Sequence, residues 1–177
     1  MMKKTVTLGF FLALALILSY VETLIPFSFG IPGIKLGLPN LIVVLLLCRN
    51  NGRDSSTYYE NIMAALEVNV LRIVLSGFLF SNLYAILYAL AGAMASFAAM
   101  LAGRRMGCFS AVGVSVLGGV FHNIGQVLVA MFVVETVYVA YYVPFLIVAG
   151  TVTGAVLGFA AMELIPYLRR HEADRAL

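Results

Sequence analysis

Apolar residues run along this chain in long blocks, and polar or turn-forming residues interrupt them at intervals that suit membrane-crossing helices. A helix needs about 20 mainly apolar residues to cross a bilayer. Six blocks approach that length, at residues 5–25, 37–48, 58–80, 82–103, 110–133 and 142–165, with 166–177 left as a short tail. The second block is short, so it either borrows residues from the segment before it or crosses only part of the bilayer. The third is expected to begin inside "RDSSTYYEN", where Asp54, Ser55 or Ser56 can cap an interfacial turn. The pattern predicts one all-α domain, a bundle of six transmembrane helices.

Between the first two blocks lies "PGIKLGLPN", residues 32–40. Proline and glycine oppose a continuous helix, and a lysine at membrane depth is costly, so this segment calls for a structural or functional reason. On the exterior, broken backbone is tolerated where it covers a cavity rather than facing lipid. Pro32 and Gly33 would turn the chain, Lys35 would reach toward a site, and Pro39 would start the second helix where proline is tolerated. The segment reads as a lid.

Composition makes the membrane assignment firm. Of 177 residues, 63% are hydrophobic and 11% charged, against roughly a quarter charged in soluble domains. The opening "MMKKTVTLGFFLALALILSY" has the charged-then-apolar order of a secretory signal. No small-x-small cleavage site follows it and the remaining blocks are equally apolar, so it is read as a first membrane helix.

Charge placement sets the expected topology. With the amino terminus inside, Lys3, Lys4, Arg49, Arg53, Arg104, Arg105, Arg169, Arg170 and Arg175 share one side, nine of the eleven basic residues. Excess lysine and arginine marks cytoplasmic loops, so both termini and the tail are expected in the cytoplasm. The net charge of +3 is explained by this asymmetry and gives no reason to expect nucleic acid. Cys48 and Cys108 lie near expected cytoplasmic helix ends, where thiols stay reduced; no disulfide, metal site or cofactor is expected.

Small residues recur at four-residue spacing in three places: Gly9 and Ala13; Ala91, Ala95, Ala99 and Gly103; and Gly150, Gly154 and Gly158. Such rows let helix backbones approach closely in lipid. Each reads either as packing within the bundle or as a docking face for a partner membrane protein.

Ionisable and amide side chains inside spans usually face the bundle interior or a cavity. Arg72 lies in the outer half of the third span, with Asn69 and Ser76 on the same helical stripe. It can lock the bundle through a carboxylate or contact an anionic or polar ligand. The fifth span carries "GGVFHNIGQ", with His122 and Gln126 one turn apart and Asn123 beside them, each needing a partner at mid-membrane depth. No metal ligation is expected there, because the second histidine, His171, lies in the tail.

Glu22 and Lys35 belong to the outer ends of the first two spans and their connection, and can pair with each other or with Arg72. Glu67 points about 140 degrees away from Arg72 around the helix, and its role is open. Tyr20, Tyr84, Tyr88, Tyr138, Tyr141 and Tyr142 fall in outer halves or external loops, where an interfacial aromatic belt is the default. Depth alone lets Glu22, Lys35, Asn40, Arg72, His122 and Gln126 converge on a binding site open to the exterior.

Catalysis would need a visible constellation, such as paired aspartates for magnesium and pyrophosphate or a phosphate-cradling glycine loop. Neither is present: Asp54 and Asp174 stand apart, and no "GxxxxGK" occurs. A transport role would therefore need ion coupling or a separate ATPase.

Five segments, "SYVETLIPF", "PGIKLGLPN", "LRIVLSGFLF", "HNIGQ" and "YYVPFLIVAGTVTG", occur in the order of, and resemble, signature segments of the Gx transporter family, across most of residues 10–160. Members of that family are often labelled heptaprenyl diphosphate synthase component I, and it resembles the S components of energy-coupling factor (ECF) transporters, six-helix bundles of bacterial and archaeal cytoplasmic membranes. The resemblance implies a subunit that captures a small polar or anionic, micronutrient-like molecule at the outer face. The first external loop would partly close the pocket. The subunit would then topple on docking with a coupling subunit driven by two cytoplasmic ATPases. It also implies that Gly9 and Ala13 form the docking row, with glycine in place of the more familiar alanine. The site would comprise Glu22, Lys35, Asn40, Asn69, Arg72, Ser76, His122, Asn123 and Gln126. The synthase label implies an alternative, a non-catalytic membrane subunit of isoprenoid handling; the aspartate-rich motifs of soluble prenyl synthases are absent.

Overall fold

A computed structural model of the chain describes residues 2–24, 37–49 and 55–174. It contains six α-helices: α1 (Met2–Leu24), α2 (Asn40–Cys48), α3 (Ser55–Phe80), α4 (Leu83–Met106), α5 (Ala111–Val133) and α6 (Val143–Asp174). A short 3-10 helix, Val137–Tyr142, leads into α6. No strand occurs among the described residues. Lys35 and most of the expected lid, together with Arg53, Asp54 and Arg175, lie outside them.

Five segments are long and apolar enough to cross a membrane: Thr5–Leu24, Ser56–Phe80, Leu83–Met106, Ala111–Val133 and Val137–Arg170. Their outward faces carry large apolar side chains, among them Val6, Phe78, Phe132 and Phe159, a surface suited to hydrocarbon rather than water. Polar capping fixes several boundaries. Asn82 Oδ1 accepts from Ala85 N at 2.9 Å to start α4, and Ser110 Oγ accepts from Gly113 N at 3.3 Å to start α5. Gly107, in the left-handed region at φ 70°, ends α4.

The second block forms the nine-residue helix α2, which at about 1.5 Å per residue reaches less than halfway through the hydrocarbon. It borrows nothing from upstream, because Gly37 stands at φ +80° and Pro39 occupies the N-cap. Every residue from Ile42 to Cys48 is buried. That burial explains why the segment is apolar all round instead of amphipathic.

The half-helix is also the hub. α1 packs on α3 and α2 and on no other described helix, whereas α2 touches α1, α3, α4, α5 and α6. The core around it joins Val43, Val44, Leu46 and Leu47 to Phe11 and Ala15 of α1, Val68 of α3, Met100 of α4 and Ile165 of α6.

Two of the small-residue rows pack inside the bundle. A Cβ on Gly150 would fall 2.7 Å from the Gly119 carbonyl oxygen, one on Gly154 2.7 Å from Val116 Cα, and one on Gly158 2.6 Å from Val112 Cα. The α6 row therefore lies directly on the α5 backbone. The α4 row does the same from the other side, with the Ala91 carbonyl oxygen 2.6 Å from a Cβ position on Gly125. Gly9 differs: nothing lies within 4 Å of its Cβ position, and Gly9 and Ala13 are both exposed.

Two expectations change. Tyr88 is buried with Val127, Ala130, Val139 and Leu146, so it belongs to the core, while Tyr20, Tyr84, Tyr138, Tyr141 and Tyr142 remain exposed. The helix assigned to 142–165 continues through Pro166 to Asp174. Proline removes a single backbone donor, and Arg169 beyond it is anchored: its Nε donates to the Arg49 carbonyl at 2.6 Å and its Nη2 to the Cys48 carbonyl at 3.2 Å.

Candidate functional site

Local helix geometry places the first polar pair. Ser19 and Glu22 lie about one turn apart near the end of α1 and both are buried. Across from them α3 carries Asn69 and Arg72, also one turn apart. The Arg72 guanidinium uses its fork on one acceptor, with Nη2 at 2.8 Å and Nε at 3.2 Å from Asn69 Oδ1. Its Nη1 reaches Ser19 Oγ at 3.5 Å. The Glu22 carboxylate interacts electrostatically with this guanidinium, so a cation and an anion lie together in the buried interior of one end of the bundle.

Glu22 has a second task. Its Oε1 accepts from the backbone N–H groups of Gly37 and, at 3.2 Å, of Leu38. Those are the residues that turn the chain into α2, so α1 fixes the entry to the half-helix through a charge-assisted contact. Gly37 is needed here for its positive φ. A side chain would also collide, because its Cβ position lies 3.0 Å from Asn40 Nδ2 and 3.4 Å from His122 Cδ2.

Asn40 and His122 thus flank the turn. The opposite edge of the imidazole meets α4, where a Cβ on Gly92 would lie 3.0 Å from His122 Cε1 and 2.8 Å from Gln126 Cγ. Asn40 is 3% exposed, and neither its Oδ1 nor its Nδ2 has a hydrogen-bond partner among the described residues. Buried amides are nearly always satisfied, which makes this one the least expected feature of the region.

The structure brings Glu22, Asn40, Asn69, Arg72, His122 and Gln126 into one continuous polar seam that crosses α1, α3, the start of α2 and α5. Two sequence candidates are engaged elsewhere. Asn123 Nδ2 donates to the Leu146 carbonyl at 2.8 Å and ties α5 to α6. Ser76 Oγ donates within its own helix to the Ile73 carbonyl at 3.3 Å. Lys35 lies outside the described residues.

Residues 11–164 match the family model described as Heptaprenyl diphosphate synthase component I. The chain belongs to that family. No curated protein and no solved structure matches it.

The family match runs from within α1 to within α6 and takes in the whole seam. Sequence reasoning missed three parts of it in this family member. Ser19 was hidden because a lone serine in an apolar helix is unremarkable, although its one-turn spacing from Glu22 was available. Gly37 and Gly92 were hidden because their importance lies in which side chain faces them. Together the residues offer a fixed guanidinium, a carboxylate, three amides and an imidazole within a buried interior, a set suited to recognising a polar molecule by charge and hydrogen bonds. Among the described residues, no three histidine, cysteine, aspartate or glutamate side chains gather as a metal site.

The opposite end of the bundle is basic. Arg104 stacks over the Tyr58 ring at 5.7 Å, and Arg49 and Arg169 meet at the end of α2.

Proposed function

We propose that the chain is a substrate-binding membrane subunit of the ECF S-component type. It has six membrane-embedded segments, one of them the half-helix α2, with both termini in the cytoplasm of a bacterial or archaeal cell. It binds a small polar or anionic molecule through the seam and works with a separate coupling subunit and its ATPases, performing no catalysis itself. The basic end, with Arg49, Arg104, Arg105, Arg169 and Arg170, faces the cytoplasm under the positive-inside rule. The seam then lies toward the outer face.

One observation carries this reading: the buried Asn40 amide, without a hydrogen-bond partner among the described residues, beside a buried Arg72–Glu22 pair. Burying unsatisfied and charged groups is costly, and a ligand that completes their contacts gives them a purpose. The exposed Gly9 and Ala13 on α1 supply the close-approach face through which a coupling subunit docks.

Native mass spectrometry of gently solubilised protein tests the proposal. The expected result is a bound small molecule and copurifying coupling subunits. Arg72→Met should lose the molecule while the helical bundle stays intact by circular dichroism. Loss of the fold would make Arg72 a structural lock, and an empty wild-type protein without a coupling partner would sink the transport reading.

The family description favours a second reading, a non-catalytic membrane component associated with a heptaprenyl diphosphate synthase. That component would alter the yield or length of prenyl product when mixed with its catalytic partner, an effect an S component would not have.

A further inference from the structure

A cavity lies between α1, α2 and α3, on the face of α3 turned away from Arg72, and runs from Arg49 at the basic end to Glu67 near the middle of α3. Its volume is about 550 Å³, within the roughly 300–1,000 Å³ of small-molecule pockets. Leu8, Phe11, Leu46 and Met63 supply apolar wall. The polar lining is unusual for a membrane-crossing region, because Glu60 and Glu67 of α3 both face it, with Arg49 at the end of α2.

Glu67 is the telling residue. It lies near the middle of α3, in a segment apolar enough to span, and its side chain is exposed to this space. A carboxylate at that depth costs several kcal/mol against lipid and persists only where a cavity or partner receives it. Neither a hydrogen bond nor an ion pair to it is formed among the described residues. Glu60 lies about two turns away on the same helix face, roughly 10 Å nearer the basic end.

Asn61 provides independent support. It is 3% exposed, lines the same cavity, and its Nδ2 has no hydrogen-bond partner among the described residues. A buried donor left idle in the wall calls for an acceptor oxygen from an occupant. Among the described residues of the lining, two carboxylates stand against one guanidinium, a balance that favours positive charge. A bare inorganic cation would need six or more oxygen ligands, which this lining does not gather.

We infer that this cavity binds an organic ammonium compound with an apolar body, its ammonium at Glu67 and an acceptor oxygen at Asn61 Nδ2. Such chemistry is found in free alkyl- or arylalkylamines and in the ethanolamine headgroup of a phospholipid. The site is separate from the seam, and its occupancy does not depend on what the seam binds.

The test uses the full chain in nanodiscs of phosphatidylcholine and phosphatidylglycerol, with tritiated phenethylamine as probe. Saturable binding is expected, displaced by unlabelled phenethylamine and not by the anion of matched shape, 3-phenylpropanoate. Glu67→Gln should weaken it about tenfold or more, the scale of a lost charge-assisted contact. Ala64→Leu, which narrows the cavity without changing charge, should weaken it as well. Asn40→Leu, in the seam, should leave it unchanged. Discs containing phosphatidylethanolamine separate the sources: loss of probe binding identifies the lipid amine, and retention identifies a free amine. Non-saturable binding, equal affinity in Glu67→Gln, or displacement by the anion would overturn the assignment.

Discussion

Replacing Asn40 by leucine separates a residue kept for ligand recognition from one kept for the fold. Leucine has nearly the branching of asparagine and no polar atom. Both amide atoms of Asn40 are buried without partners among the described residues, and an unsatisfied buried polar group costs about 1–3 kcal/mol. Against that gain stands crowding, because Asn40 Nδ2 already lies 3.0 Å from the Cβ position of Gly37, and overpacking of this kind costs about 1 kcal/mol at its mild end. The ligand-free variant should therefore be more stable by about 1 kcal/mol, roughly a fivefold shift in the folded-to-unfolded ratio. Titration of ligand-free protein from mild detergent into dodecyl sulfate, followed by circular dichroism, would read the shift in midpoint. Asn40→Ala, which removes the amide but leaves a void, should fall close to wild type. A leucine variant less stable by 1 kcal/mol or more would mean that the amide is satisfied and that the argument from its burial is wrong. A stabilised variant that still copurifies with the wild-type small molecule would remove Asn40 from the site.

Two further substitutions probe the frame that holds the seam. Gly154→Ala should destabilise the bundle by about 1–2 kcal/mol, because its new Cβ meets Val116 Cα at 2.7 Å. Gly9→Ala, with nothing within 4 Å, should be neutral or stabilising by up to about 1 kcal/mol; the same detergent titration distinguishes them, and equal effects would refute the packing argument. Glu22→Gln removes the charge that accepts from Gly37 and Leu38 and faces Arg72, with an expected loss of about 1.5–3 kcal/mol. Hydrogen exchange should show that loss first as faster exchange at the Gly37 and Leu38 amides, and unchanged protection there would argue against the contact.

The relation between sequence and structure is clearest at α2. Its apolar run announced a short membrane segment, and "GLPN" announced a break before it. Neither could say that nine residues would become the common neighbour of all five other helices, since a segment apolar on every side carries no information about which neighbour it meets. The same limit applies at the other end of the helix. Arg169 was readable as a positive-inside residue, yet its bonds to the Cys48 and Arg49 carbonyls span most of the chain and leave no local pattern.

The polar seam divides in a similar way. Arg72 with Asn69, and His122 with Gln126, were legible because polar residues at one-turn spacing in an apolar helix stand out against their background. Asn123 stood out equally and turned out to tie α5 to α6, because a hydrogen bond to a backbone carbonyl such as Leu146 depends only on helix proximity and rotation. Tyr88 was placed at an interface by depth and went to the core by rotation about α4.

Sequence alone determined what depends on one helix at a time: which blocks are apolar enough for lipid, which end of the bundle is basic, and which polar residues share a face. Tertiary structure decided everything that depends on pairs of helices, including the entry of α2 held by Glu22, the seating of His122 between Gly37 and Gly92, and the cavity around Glu67. The physical reason is that lipid gives no hydrophobic push between helices. Their mutual rotation is set by close backbone contacts, such as Gly150 on Gly119, and by a few buried hydrogen bonds, whose energies appear only when both partners are in place.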